Sequence, residues 1–383
     1  MNRRKFFKLI AAGGIGTALS PVLLKDIFPK TNLLEKPLTN IADAMKYPRT
    51  EYSMPGRMPG KVVQVSHDKC IVNNKIDFNA ADEMLRKGML NLTKADNIPS
   101  AWRMFVSKND VIGIKVNPIG GAQLSTSTEV VKSVITQLEE AGVPRKNIVI
   151  WDRRMPDLEQ AGFTETNFPG VSIKATEFKD KNGSFYNSSG KLYSEDMIDK
   201  NWYYWADVEE KYDAETIPYM TNEGKYSYFT KIVTQQVDKI INIPILKNAG
   251  ASVTLAMKNL AFGSISNTSR LHKELWAETC AEVCAFPPLR DKVVLNIADG
   301  IKGCFQGGPG ANPQFFTEYK TILFSTDPVA LDRIGYEIVL KKRIEEKIQK
   351  ADYPNARKYM DLAQNLGLGT AEIERIQLEK ITI

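Results

Sequence analysis

Short apolar runs alternate with amphipathic stretches along most of the chain. Val111–Val116 is one such run; Asn117, Pro118 and the Gly120-Gly121 pair follow it, and a helical spacing of apolar positions then extends from about Ser127 to Glu140 and closes at Gly142. Ile148–Trp151 is apolar again. A strand, a helix and a second strand joined by a crossover of more than a dozen residues make a parallel βαβ unit. Further apolar runs at Lys61–Val65, Lys239–Leu246, Lys292–Ala298 and Thr321–Phe324 predict strands buried in a covered sheet. Helical periodicity predicts helices over about 80–92, 253–261, 328–341 and 355–365. The expected fold class is therefore α/β, a mostly parallel sheet flanked by helices. Residues 175–230 break the pattern: Lys179–Ser184, the turn at Asn187–Gly190 and the aromatic Trp202–Trp205 show no helical period and predict a turn-rich insertion of short strands.

The N-terminus has a different character. Arg3-Arg4-Lys5-Phe6-Phe7-Lys8 precedes the weakly apolar, Gly- and Ala-rich run Leu9–Ser20, a pattern that resembles a twin-arginine export signal. That run is shorter than the roughly 20 apolar residues a membrane span needs. Residues 1–30 are read as signal or anchor segment, 31–60 as extended linker and 61–383 as the α/β domain. The expected location is periplasmic, after passage through the twin-arginine export machinery, with an uncleaved N-terminus as the membrane-anchored variant. The same segment holds six Lys or Arg residues against the single acid Asp26, so most of the net charge of +6 resides there and the folded part is near neutral. No basic stripe with interleaved aromatics remains in the folded part to bind nucleic acid. A hydrophobic fraction of 43% with 25% charged residues excludes whole-chain disorder and multi-span membrane architectures.

Chemistry-bearing residues gather where strands are predicted to end. Asp152, Lys247 with Asn248, and Asp299 each follow an apolar run, while Lys115 and Asn117 stand at the end of another. In open α/β sheets the carboxyl ends of strands line the ligand crevice, so one sheet would bring these residues to a common edge. Lys115, Lys247 and Lys258 offer positive charge, and Asn117, Asn248 and Asn259 offer donors and acceptors, a set suited to a small anionic ligand. Asp152 and Asp299 are hard oxygen donors that suit a divalent metal. His272, in a polar stretch read as loop, is the expected proton carrier, and a desolvated Lys247 or Lys258 would serve as a basic or nucleophilic amine. Gly307 and Gly308 sit in a glycine-rich segment whose backbone N–H groups could meet an anion, although it matches neither the P-loop nor the G-x-G-x-x-G pattern. Asp327 before Pro328 reads as a helix N-cap, and Asp332 as solvated, salt-bridged or a further oxygen donor.

The four cysteines, Cys70, Cys280, Cys284 and Cys304, form no C-x-x-C and read as small buried residues; Cys280 and Cys284 with His272 or Cys304 make the weaker metal alternative. Two histidines, His67 and His272, are too few for a multi-His zinc site, and the absence of G-x-S-x-G argues against a serine hydrolase.

The succession Ile112–Asn117, Ile148–Asp152, Ile241–Lys247, Val253–Asn259 with Phe262–Ser264, His272, Ala298–Gly300, Gly307–Gly310 and Ser325–Asp332 resembles the domain of unknown function 362 family, in its exported branch. The resemblance covers the chain from about residue 60 onward and implies a shared fold and pocket, with no established reaction. Some relatives carry ferredoxin-like cysteine clusters; the lack of such a run here argues against an iron–sulfur cluster built from this chain's own cysteines. Two functional readings follow. One is an exported enzyme or cofactor protein holding a small anionic ligand, with a divalent metal as its conceivable companion. The other is a non-catalytic periplasmic binding or accessory protein for a redox complex, using Trp202–Trp205 as a protein-partner surface.

Overall fold

Eleven strands form one mostly parallel sheet. They are β1 (Lys61–Ser66), β2 (Ile112–Val116), β3 (Ile148–Arg154), β4 (Ser172–Glu177), β5 (Lys239–Ile243), β6 (Ile245–Asn248), β7 (Val253–Thr254), β8 (Val293–Cys304), β9 (Phe316–Thr317), β10 (Thr321–Ser325) and β11 (Gln377–Thr382). The computed structural model describes residues 36–210, 221 and 224–383; the twin-arginine-like segment lies outside the described residues. The strand order is β11-β1-β10-β8-β5-β2-β3-β4, with β6 pairing β8 and β7, and β9 pairing β8. Pairings among β8, β5, β2, β3 and β4 are all parallel, and β10 runs antiparallel to both its neighbours.

Helices cover both faces, as buried parallel strands require. On one side α1 (Phe78–Thr93) and α2 (Thr128–Glu140) pack Met84, Leu85, Val134 and Leu138 against Ile112, Ile114, Ile148 and Ile150. On the other, α3 (Ala256–Ser264), α5 (Trp276–Ala285) and α6 (Pro328–Glu345) bury Leu260, Cys280, Cys284 and Ala330 with Trp151, Ile240 and Leu246. The short α4 (Ser269–Glu274) precedes α5, and α7 (Lys358–Asn365) packs on α5. The β2–α2–β3 unit is the expected parallel crossover. Because β3 and β4 lie on one side of β2 while β5 and β8 lie on the other, the chain reverses its winding between β2 and β5. The carboxyl ends of that strand pair open a crevice.

Several expectations change in detail, each for a local reason. Pro244 has no N–H to give to a ladder, so the single strand expected over Lys239–Leu246 is two, β5 and β6. After the break β6 shifts along to the far part of β8, pairing Ile245 with Asp299 and Lys247 with Cys304. Strand β8 does not end at Ala298; it continues to Cys304 because β6, β9 and β10 supply partners for its second half. Residues 38–60, expected as extended linker, include a helix at Ile41–Met45 and bury Ala44 and Met54 completely. The irregular insertion contains an antiparallel hairpin, Ile198–Trp205 with Tyr226–Thr230. Within it Tyr204 is buried and its hydroxyl donates to Glu282 at 2.8 Å, so that ring belongs to the core. Among the described residues no helix is long and apolar enough to cross a membrane.

Candidate functional site

A buried polar row crosses the sheet beneath the crevice. Lys115 on β2, Asn242 on β5 and Asn296 on β8 are register partners in sequence, Lys115 beside Asn242 and Asn242 beside Asn296, so their side chains emerge on one face. All three are fully buried. Helix α3 lies across this row and satisfies it through Asn259. The Asn259 carbonyl oxygen accepts from Lys115 Nζ at 2.9 Å and from Asn117 Nδ2 at 3.1 Å, while its Nδ2 donates to Asn242 at 2.8 Å. Asn242 in turn donates to Asn296 at 2.9 Å. Lys115 Nζ also donates to the Val116 carbonyl at 2.7 Å and forms an ion pair with Asp152. Burial pulls the lysine's pKa down and the aspartate pulls it back up.

The sequence makes this packing possible at Gly263. A Cβ there would stand 2.3 Å from Lys115 Cε and 2.7 Å from Nζ, and the ammonium cannot swing aside while three acceptors hold it. The α3 N-terminus is held by Asp332, whose carboxylate accepts from Ala256 N at 2.6 Å and Met257 N at 3.0 Å. Asp332 is thus neither solvated nor salt-bridged but a buried cap from a neighbouring helix; burial raises its pKa to about 7. Asp327 caps its own helix as expected, accepting from Val329 and Ala330.

Above the row lies a cleft of about 710 Å³. Four cationic side chains line it, Lys115, Arg153, Arg154 and Lys258, against the two carboxylates of Asp152 and Asp157. Lys115 is committed to Asp152. Arg153 and Arg154 share the buried carboxylate of Glu177, at 2.9 and 3.3 Å, and Arg153 also donates to Thr268. Lys258 has no hydrogen-bond or ion-pair partner among the described residues; its ammonium stands 6.0 Å from the centre of the Phe262 ring, one helical turn along α3. Burial lowers its pKa. His272 packs on that same Phe262 ring, 4.2 Å between centroids with the planes tilted by 41°. Its Nδ1 lies 3.0 Å from the Thr268 carbonyl, which can only accept, so Nδ1 carries the proton and Nε2 the lone pair. The imidazole is open to the cleft yet walled by protein; that desolvation, with Lys258 nearby, lowers its pKa to about 4 and keeps it neutral at pH 7.

The structure therefore brings together Lys115, Asn117, Asp152, Lys258, Asn259 and His272, all lining this cleft. His272 is on the helix α4 rather than in a loop. The other expected residues lie elsewhere. Lys247, fully buried, donates to the Ile119 carbonyl and, at 3.3 Å, to Leu124, so it clamps the β2–α2 loop from below; burial lowers its pKa to about 7. Asn248 donates to Ser252 at 3.2 Å within its own turn. Gly308 packs against the Asn248 backbone so closely that a Cβ would lie 1.8 Å from its carbonyl oxygen, and Gly307 has a φ of +74°. Neither glycine lines the cleft; Pro309 does. Asp299 sits mid-strand, lines a separate cavity of about 300 Å³ and accepts from Ser127 N and Oγ at 2.8 and 2.7 Å. Asp152 and Asp299 thus do not share a cation. Among the described residues no group of three or more His, Cys, Asp or Glu side chains converges on a metal position. All four cysteines are free and buried. His67 accepts from Lys69 N at 3.0 Å and caps a turn.

Arg153, Arg154 and Asn242 were not singled out from the sequence. The arginines directly follow Asp152 at the end of an apolar run, and Asn242 interrupts Ile240–Ile243, which are the signals that mark them.

The model of the family described as Domain of unknown function (DUF362) matches residues 112–337, a span that holds every cleft residue named above. No curated protein matches the chain. A crystal structure of a protein from Thermotoga maritima is similar at 9% sequence identity with a TM-score of 0.36; the match covers 70% of this chain and 59% of that one, under two thirds of its length.

Proposed function

The chain belongs to the DUF362 family, and we propose that its cleft binds a small anionic ligand, with Lys258 as the principal cation and His272 as the neutral proton carrier beside it. The observation that carries this reading is the unpaired Lys258 in a cleft with four cationic side chains and two carboxylates. A desolvated ammonium without a counter-ion gains from any anion that supplies one. Lys115, Asn117, Asp152 and Asn259 form the rigid floor, while Arg153 and Arg154 extend the positive wall. Asp152 acts here by fixing Lys115, so metal binding is no part of the reading. Tm shifts test it: phosphate, sulfate and acetate, each titrated at constant ionic strength, should stabilise the wild type, and Lys258→Met should abolish most of the shift. Equal shifts in both proteins would remove Lys258 from the site.

We propose further that the N-terminal twin-arginine pattern directs the folded protein out of the cytoplasm, which would place the ligand in the periplasm. The supporting features are Arg3-Arg4, the Phe pair and the weakly apolar run that follows.

A further inference from the structure

We infer that Lys258 is a nucleophile whose Nζ adds to the carbonyl carbon of a small anionic oxo compound, of the 2-oxo acid type, to form an imine. The inference rests on the anion-binding reading of the cleft and names the class of anion. Three lysines are at or near the site, and their surroundings separate them. Lys115 has all its donors engaged, by Asp152, Asn259 and the Val116 carbonyl. Lys247 is bonded to two loop carbonyls below the cleft wall. Lys258 alone lines the cleft with no acceptor at its nitrogen, so loss of its proton breaks no hydrogen bond and its lone pair is free to attack. The surroundings favour that loss. The site is desolvated, which disfavours the charged form of Lys258.

The step balances without any further reagent. The ammonium yields a proton, the amine lone pair makes the N–C bond, and the carbonyl π pair moves to oxygen, which takes up a proton. The resulting carbinolamine loses one water as the C=N bond forms, and the protonated imine keeps the single positive charge that the ammonium had. The attraction to the ligand's own carboxylate is therefore retained. His272, neutral and with its Nδ1 proton tied to Thr268, is the base lining the same cleft that can carry the proton from nitrogen to the departing oxygen.

Reductive trapping tests this on the full chain. The protein is incubated at pH 7 with glyoxylate, pyruvate or 2-oxoglutarate and sodium cyanoborohydride, and adducts are mapped by peptide mass spectrometry. Because the cleft holds the oxo acid beside an amine that no acceptor engages, the adduct should sit on Lys258 at an occupancy about tenfold above the exposed Lys87 and Lys108. Excess acetate should suppress it. Lys258→Arg should retain a Tm shift with the oxo acid while losing the adduct. Mapping on the wild type alone decides the matter if that variant folds poorly. A Tm shift with adducts spread evenly over surface lysines would overturn the imine and leave anion binding standing. No shift with oxo acids, acetate or phosphate would overturn the cleft reading itself.

Discussion

Lys115 shows how one residue couples stability to the site. Its ammonium is fully buried and satisfied by Asp152, Asn259 and a main-chain carbonyl. Removing one member of such a pair leaves the other charge uncompensated, which typically costs more than the pair itself contributes. Lys115→Met should destabilise the fold by about 3–5 kcal/mol in denaturant titrations. Adding Asp152→Asn to it should recover a large part of that loss; a double variant as unstable as the sum of the two singles would show the pair is not coupled. At this scale the sequence was legible where the residue stands at a strand end. Lys115, Asn117 and Asp152 were placed by the rule that strand carboxyl ends line the crevice, and all three line it. Asp299 failed the same rule because β8 runs six residues past Ala298 on pairing that only the tertiary structure supplies.

At the scale of elements, the β2–α2 loop and helix α3 face one another across the cleft, and each is held from beneath by a buried ionisable side chain. Lys247 holds the loop through the carbonyls of Ile119 and Leu124, and Asp332 holds the amino end of α3. Lys247→Met should raise amide hydrogen exchange across 119–124 while changing stability at pH 7 by no more than about 2 kcal/mol, because lost hydrogen bonds and relieved desolvation offset. The pH dependence follows from the lowered pKa. With a value of about 7 in the fold against 10.5 for a free lysine, the unfolded chain binds more protons between those limits, and this group makes stability rise with pH across that window. The Met variant should lack that rise; a wild-type and variant difference that is flat from pH 7 to 10 would contradict it. Periodicity gave these elements well, since α2, α6 and the βαβ unit follow apolar spacing. It could not give the clamp. Whether a lysine after an apolar run faces a cleft or a loop's underside depended here on Pro244, which displaced β6 toward β8. Nor did it show that Asn242 and Asn296 align, since register between strands is not written in either strand alone.

For the whole molecule, two apolar cores on either side of the sheet leave a polar seam at the point where the winding reverses, and the seam ends in the cleft. The proposed export of this folded unit is a separate matter and rests on the twin-arginine pattern. Replacing Arg3 and Arg4 together by Lys should retain the protein in the cytoplasmic fraction, and unchanged periplasmic recovery would count against twin-arginine export. The cleft itself is best tested by soaking crystals with selenate, an oxyanion visible by its anomalous scattering. An anomalous peak within hydrogen-bond distance of Lys258 Nζ, between Arg153 and His272, is the expected result. Peaks confined to surface lysines, with the cleft empty at saturating selenate, would contradict the assignment of Lys258 as the anion's partner.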